Sequence, residues 1–561
     1  MSGTHDRTIV IIGGVAGGAS AAARARRCNE HARIIMYERD AHVSFANCGL
    51  PYFVGGEITD RDKLLVATPQ LLADRFCIDV CTHSEVTSID REGHTVTVRN
   101  TQTGTEQRQH YDRLIISTGA SPIVPRVGGT DAQNVFALRN LDDADRMIRF
   151  ITETSPRRAV VVGAGFIGLE MVEQLARRDI QVSLVELADQ VLTPLDPEMA
   201  RMVERELIRH QVTLYLADGL ESLRTQDDRA VAVRLNSGTQ VAADMVVLGI
   251  GVRPNTGLAV GCGLALGSQG GIAVNDRMQT SDPHIYAVGD AVEYPHGVTG
   301  GAVRVALGGP ANRSGRVAGE NAATDADVRM PAVLGTAIVR VFDTTAAMTG
   351  LSIKHAARLG RAARAAVVPA GHHAGYYPGS EPMVLKLIYD PDTGKVLGAS
   401  AVGGAGVDKR IDVIATAIHF GATVEALAGV DLAYAPPFGS AKDPVHLAAF
   451  VAANDRSGFS PLAPIDADVS GCQIVDVRTP QEFEQSRLPG AELAPLHELR
   501  ERLTRFDPSR PTVVVCQGGL RAHVGARILR QHGFGDVRNL TGGMGIQVLR
   551  DPQQYRLAET P

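Results

Sequence analysis

Thr8-Ile9-Val10-Ile11-Ile12-Gly13-Gly14-Val15-Ala16-Gly17-Gly18, continued by an alanine-rich run to Cys28 and by Arg33-Ile34-Ile35-Met36-Tyr37-Glu38, decides the fold. The β-branched run at 8–12 reads as a buried parallel strand and the glycines as a tight turn. The alanines read as a helix and 33–37 as the next strand. The pattern returns at Arg158–Val162, followed by Gly163-Ala164-Gly165-Phe166-Ile167-Gly168, a helix to Arg178, the strand Gln181–Val185 and Glu186. First glycine to acid spans 25 residues in one copy and 23 in the other. A strand feeding a glycine turn into a helix aims backbone N–H groups and the positive helix end at a pyrophosphate, while the acid accepts from ribose hydroxyls. The second copy meets G-x-G-x-x-G in full, with Gly163, Gly165 and Gly168; the first departs from it at Val15. One such match is weak, but two in the right strand context predict two dinucleotide sites.

Each copy has a later apolar strand closed by a small turn, Ser117-Thr118-Gly119 in the first and Gly249-Ile250-Gly251 in the second. Asp282–Ala291 is again strand then Gly289-Asp290, and we place it back in the first fold with the second inserted. The expected boundaries are 1–120 with 270–334 for the first domain and 121–269 for the second. Gly289-Asp290 suits a ribityl or phosphate contact on a flavin. FAD is therefore assigned to Gly13, Val15, Ala16, Gly17, Glu38, Thr118, Gly119, Gly289 and Asp290. The nicotinamide cofactor goes to Gly163, Gly165, Gly168, Glu186 and Gly251. Leu187-Ala188-Asp189-Gln190 offers no cation for a 2′-phosphate, which predicts NADH over NADPH. From 335 to 452, strands near 336–341, 363–368, 383–389 and 396–402 and a helix over 411–420 read as an α+β lobe. Residues 453–464, polar with Gly and Pro, read as a linker, and 465–561 as a small α/β domain.

A chain of 561 residues is long enough for three to four domains, and 44% hydrophobic with 21% charged residues is ordinary for a globular protein. The net charge of −6 gives no electrostatic case for nucleic acid or an anionic membrane. No apolar run reaches the length of a membrane span, and Met1–Arg7 is too polar for a signal peptide. Seven scattered cysteines are too few for a disulfide scaffold, so a reducing cytoplasm is expected, and no metal site is expected.

Ser44-Phe45-Ala46-Asn47-Cys48-Gly49-Leu50-Pro51-Tyr52 follows the Glu38 strand, and its flanking Asn and Gly argue against simple core filling. No second cysteine lies within six residues, so Cys48 works alone, cycling between thiolate and a mixed disulfide, persulfide or sulfenic acid. A helix N-terminus there is expected to lower its pKa. Cys28, Cys77, Cys81 and Cys262 read as small buried residues, with Cys77 and Cys81 sharing a strand face.

The Cys48 segment, both nucleotide folds, Gly249-Ile250-Gly251-Val252-Arg253-Pro254-Asn255 and Tyr434-Ala435-Pro436-Pro437-Phe438 together resemble the single-cysteine flavin disulfide reductases. That group includes coenzyme A disulfide reductase, NADH oxidase and NADH peroxidase, and the resemblance covers about residues 5–452. Ser44–Cys48 is most similar to the coenzyme A disulfide reductase branch; the peroxidase branch carries a histidine where this chain has Ala16. The resemblance implies a homodimer built on the 335–452 lobe and a coenzyme A site beside Cys48. Arg24, Arg27, Ser44 and Asn47 would line that site, with Arg75, Asn312 and Arg313 as further candidates. It also implies two tyrosines contributed by a second subunit, Tyr434 and Tyr376, the latter preferred over Tyr377.

The last hundred residues resemble a rhodanese domain, through Ile474-Val475-Asp476-Val477-Arg478, Glu482-Phe483 and Leu488-Pro489-Gly490-Ala491; Ser486-Arg487 stands where Gly-His is usual. Cys516-Gln517-Gly518-Gly519-Leu520-Arg521 opens a loop whose N–H groups form an anion nest for a persulfide, with Arg521 as a further contact. The C-x4-R spacing is one residue shorter than the phosphatase loop, which favours sulfur transfer. The combined expectation is an α/β chain of two Rossmann-like domains, a dimerisation domain and a rhodanese domain. It would use NADH to reduce persulfides, polysulfides or coenzyme A persulfide through FAD and Cys48, with Cys516 handling sulfane sulfur. The competing readings are a coenzyme A disulfide reductase, an NADH oxidase, and a sulfur carrier or redox sensor without turnover.

Overall fold

The structure, a computed structural model, describes residues 7–555. Met1–Asp6, on which the reading of the N-terminus partly rests, and 556–561 lie outside them. The chain divides into two compact units, one of residues 1–189 with 212–333 and the other of 190–211 with 334–561.

In the first unit, 8–12 is the centre of a five-stranded parallel sheet, in the order 285–287, 113–116, 8–12, 33–37, 78–81. Ile9, Val10 and Ile11 have no exposed surface, as a strand covered on both faces requires. The sequence repeat is a structural repeat. A second parallel sheet runs 213–215, 181–185, 158–162, 245–248, 135–136. Each fold also carries a three-stranded antiparallel annex, at 84–110 and at 220–242. The strand Ile78–Cys81 corrects one reading: Cys81 lies on it, but Cys77 is the left-handed residue ending the preceding helix, with φ 46°, and is exposed.

The helix Gly308–Thr324 lies against the helix Ala16–Cys28, and its glycines explain how closely. A Cβ on Gly315 would stand 2.2 Å from the Gly17 carbonyl oxygen, and one on Gly319 would stand 2.3 Å from that of Ala21. These two positions, four apart on one helical face, let backbone meet backbone behind the glycine turn.

In the second unit, an antiparallel sheet runs 337–341, 344–350, 396–403, 382–389, 364–371. The strand Thr344–Gly350 carries little apolar signal and was not anticipated. It follows a turn in which Phe342 takes φ 54°. A five-stranded parallel sheet follows, in the order 462–463, 537–540, 512–515, 473–476, 491–493. The stretch read as a linker is ordered at both ends: the helix Pro444–Arg456 runs into it, and Leu462–Ala463 pairs with Asn539–Leu540. Buried Asp455 joins the two sheets. It accepts from Arg364 and Tyr389, and also from the Leu462 N–H at 2.7 Å. The helix Pro197–Arg209, within the span expected for the NAD domain, belongs to this unit; buried Lys386 pairs with Asp196 at 2.7 Å and with Glu198. Among the described residues, no helix is long and apolar enough to cross a membrane.

Because Gly319 has no room for a methyl group, Gly319→Ala is expected to destabilise the first unit by about 1–3 kcal/mol. A lowered denaturant midpoint checks this, with Gly128→Ala as the control, an exposed glycine without positive φ and with nothing within 4 Å of its Cβ position.

Candidate active site

The first fold builds its cradle from hydrogen bonds to one carboxylate. The Gly14 N–H donates to Glu38 Oε2 at 2.8 Å and the Asp40 N–H to Oε1 at 3.1 Å, tying the glycine turn to the end of the next strand. Gly13 takes φ 94°, and a Cβ there would meet the Ser117 oxygen at 2.2 Å, so only glycine fits. The second fold repeats the device: the Ala164 N–H donates to Glu186 Oε2 at 2.7 Å and the Ala188 N–H to Oε1 at 2.9 Å. Gly163 takes φ 105° with its Cβ position 2.4 Å from the Gly249 oxygen, and a Cβ on Gly168 would stand 1.9 Å from the Gly163 oxygen. A Cβ on Gly165 would meet nothing within 4 Å, leaving open space at the head of the helix Phe166–Ala176. Gly251, at φ 108°, accepts at its carbonyl from the Ile123 N–H and shapes the return between the folds.

A cavity of about 590 Å³ runs along the first cradle. Gly13, Val15, Ala16, Gly17, Glu38, Thr118, Gly119, Gly289 and Asp290 all line it, and so do Asn47 and Cys48. Its volume is that of a small-molecule site, and the glycine cradle at its centre with the Glu38 carboxylate beside it fits a dinucleotide. Arg139, which has no sequence signal of its own, also lines it, as does Asn255, the last residue of the Gly249–Asn255 motif, to which no site role was assigned. Arg139 is held by Ser121, and the side chain of Asn255 donates to the Thr118 carbonyl. The other residues expected to bind coenzyme A are not cavity-lining. Arg24 is paired with Glu320 at 2.5 Å, Asn312 accepts from Ser20, and Ser44, at φ 47°, donates its N–H to the Gly14 carbonyl. Arg27, Arg75 and Arg313 are exposed.

Cys48 sits in the short helical turn Asn47–Gly49, just before the helix Leu50–Gly55. Its N–H donates to Asn47 Oδ1 at 3.0 Å, and its sulfur stands 3.6 Å from the same oxygen. The expectation of a lowered pKa is corrected. Withdrawal from bulk water within the cavity pushes the thiol up, and the carboxylates of Glu170 and Asp290 push it further. The six-residue helix after it does not offset these effects. Glu170, on the helix of the second fold, accepts from the Tyr52 hydroxyl at 3.1 Å and was missed because only the packing of the two helices brings it near residue 48.

In the second unit, Cys516 is buried and accepts from the Gly519 N–H at 3.0 Å, with Gly519 at φ 103° opening the loop. Arg521 does not point free over this loop: Glu482 takes its two guanidinium nitrogens at 2.7 and 2.6 Å. The Tyr376 and Tyr434 hydroxyls are hydrogen-bonded to each other at 2.8 Å, whereas Tyr377 packs edge-on against His373. Glu206, His210 and Asp343 bring three possible metal-ligand atoms within 4.8 Å, but Arg209 already donates to both carboxylates.

With this geometry in view, comparison with known proteins defines the class. The sequence profile of the pyridine nucleotide-disulphide oxidoreductases matches residues 7–308, that of their dimerisation domain 336–444, and that of rhodanese-like domains 464–545. The chain belongs to the pyridine nucleotide-disulphide oxidoreductases, enzymes that bind FAD and NAD(H), and carries a C-terminal rhodanese domain. It is 34% identical to coenzyme A disulfide reductase of Staphylococcus haemolyticus (strain JCSC1435) over 446 residues, 80% of this chain and 99% of the relative. Among solved structures, reduced Bacillus anthracis CoADR-RHD is 44% identical with a TM-score of 0.96, covering 99% of this chain and 100% of that one. A NAD-dependent persulfide reductase from A. fulgidus is 39% identical with a TM-score of 0.90, covering 96% and 99%.

Two measurements follow from the charges. In flavin-free protein, the pH midpoint for Cys48 alkylation should lie above the usual thiol value of about 8.5, and Glu170→Gln should move it down. Glu482, held down to about 2 chiefly by the Arg521 hydrogen bonds, contributes stability that is fully present above its ordinary value of 4.5 and lost as pH falls through about 2. The stability gap between wild type and Glu482→Gln should therefore close over that interval in acid denaturation.

Proposed function

We propose that the chain uses NADH to reduce a persulfide or polysulfide at Cys48, with coenzyme A persulfide as one form of the substrate and Cys516 supplying or accepting sulfane sulfur. The observation that carries this reading is that Cys48 lines the same cavity as the glycine cradle and Asp290. The overall reaction is R–S–SH + NADH + H+ → R–SH + H2S + NAD+. FAD held along Gly13–Gly17, Glu38, Thr118, Gly119, Gly289 and Asp290 supplies the relay of an electron pair between nicotinamide and thiol. The chain's own part is at sulfur. Cys48, once deprotonated, attacks the outer sulfur of the substrate, the S–S bond breaks, and the thiol leaves with its electron pair. The resulting persulfide on Cys48 is cleaved by two electrons, releasing hydrosulfide. Asn47 fixes the position of the Cys48 backbone through its side-chain oxygen.

The tyrosine pair supports a homodimeric enzyme. Tyr376 is 75% exposed and Tyr434 47%, and both lie in the stretch matched by the dimerisation profile. We assign them to the Cys48 site of a second copy, where a hydroxyl can protonate the departing thiolate. Arg24, Arg27, Ser44, Asn47, Arg75, Asn312 and Arg313 remain our assignment for coenzyme A, with Arg24 required to leave Glu320. Seven free thiols suit the reducing cytoplasm we assign to it. A second reading, reduction of coenzyme A disulfide as the main duty, is favoured by the identity to the staphylococcal enzymes.

Cys48→Ser is expected to abolish NADH-dependent H2S release while bound FAD is still bleached by NADH; retained release would remove Cys48 from the mechanism. Turnover with NADPH should be lower in kcat/KM by about tenfold or more, since a 2′-phosphate would face Glu186. The ratio of kcat/KM for coenzyme A persulfide over coenzyme A disulfide separates the two duties, and a value above one is expected.

A further inference from the structure

The side chains around the rhodanese loop bear on which sulfur donor Cys516 accepts. An anionic donor such as thiosulfate presents a sulfonate-type head group and is held best by free cations. The two arginines nearest the Cys516 loop in the hydrogen-bond network are both neutralised. Arg521 is held bidentately by Glu482. Arg478, 1% exposed, donates to both oxygens of Asp476 at 3.0 and 2.7 Å and reaches the Gln517 side chain only at 3.4 Å. His523, one turn further along the helix, is pulled below its ordinary value by burial and by Arg527, and so is neutral at pH 7. Beside the exposed Gln517 side chain, the loop presents apolar surface: Leu520 is 78% exposed at the head of the helix Leu520–Gln531, with Val524 one turn behind it and Phe459, under the Arg527 guanidinium, nearby against His523. The remaining donors are the Gln517 amide and backbone N–H groups, of which the Gly519 N–H already points at the sulfur. Such a nest stabilises one negative sulfur and brings no formal positive charge of its own to a dianion.

We propose that Cys516 takes sulfane sulfur from alkyl persulfides or uncharged polysulfide chains and discriminates against thiosulfate, with the Glu482–Arg521 pair and the Leu520 side chain as the specificity determinants. This rests on the assignment of Cys516 to sulfur transfer. The Cys516 thiolate attacks the outer sulfur of R–S–SH, a new S–S bond forms at Cys516, the donor's S–S bond breaks, and R–S− leaves with the electron pair. No external oxidant or reductant is needed. With thiosulfate the leaving group would be sulfite, and neither Arg521, held by Glu482, nor Arg478, held by Asp476, would be free to meet its two charges. Glu482 is held in place from its other side, since its Oε2 also accepts from the Thr479 N–H at 3.0 Å in a capping box.

The geometry supplies two independent variants. Glu482→Gln removes the charge and frees Arg521 while keeping a residue able to complete the capping box. Leu520→Arg places a cation at an exposed position with no core to disturb. The full chain, in a Cys48→Ser background so that sulfur reports on Cys516, is mixed with thiosulfate or with the persulfide of a small neutral thiol. Addition of one sulfur to the Cys516 peptide is then followed by mass spectrometry. Loading from the persulfide should exceed that from thiosulfate by about a hundredfold, and each variant should raise the thiosulfate rate by about tenfold, as one changed unit charge near the site allows, with the persulfide rate altered by less than about threefold. Equal loading from both donors in the parent protein would overturn the proposal, as would unchanged thiosulfate rates in both variants. Absence of sulfur on Cys516 from either donor would instead overturn the sulfur-transfer assignment on which it rests.

Discussion

The backbone N–H after the first glycine, given to the carboxylate at the end of the next strand, is the constraint on which the first unit depends. Gly14 donates to Glu38 and Ala164 to Glu186, and in each fold the second carboxylate oxygen is held by an N–H two residues beyond the acid. The clamp fixes the turn relative to the sheet, so the helix that follows begins in a set direction. It also leaves lone pairs on the acid for a ribose. Burial disfavours the Glu38 charge, and the two N–H groups oppose that effect. Lose the carboxylate and the turn loses its anchor to the next strand.

The Cys48 site is organised by packing between the folds. Its short helix lies on the helix Phe166–Ala176, where Tyr52 meets Glu170 and the Arg178 side chain donates to the Val54 carbonyl. The Glu170 carboxylate, in the second turn of that helix, is thus brought near the Cys48 thiol. Withdrawal from bulk water, and after it the carboxylates of Glu170 and Asp290, raise that thiol above its ordinary value.

The second unit solves a different problem, holding a sulfur-handling domain at a set place against the antiparallel sheet. Asp455 receives donors from two strands of one sheet and the first strand of the other. The Val367 N–H donates to Thr541 Oγ1 at 2.9 Å beside the glycines that border the Cys516 loop. Buried ion pairs of this kind contribute little net stability but strongly disfavour any arrangement that leaves a charge unpaired. They fix a docking geometry more than they strengthen it.

What the sequence determined by itself is whatever depends on local periodicity and local steric need. The two parallel sheets, the glycine turns with their acids, the return of 285–287 to the first sheet and the Cys516 loop follow from β-branched runs, positive-φ glycines and fixed spacings. The residues of the first cradle were legible for the same reason: strand and turn place them together whatever surrounds them. The antiparallel strand Thr344–Gly350 escaped notice because its apolar signal is weak, and Leu462–Ala463 because two residues make no period. Only the tertiary structure decided the charge environments. Glu170 beside Cys48, Glu320 on Arg24 and Glu482 on Arg521 come from segments 39 to 296 residues away or from another fold. Electrostatic partners are chosen by proximity in space, and a sequence records no such distance.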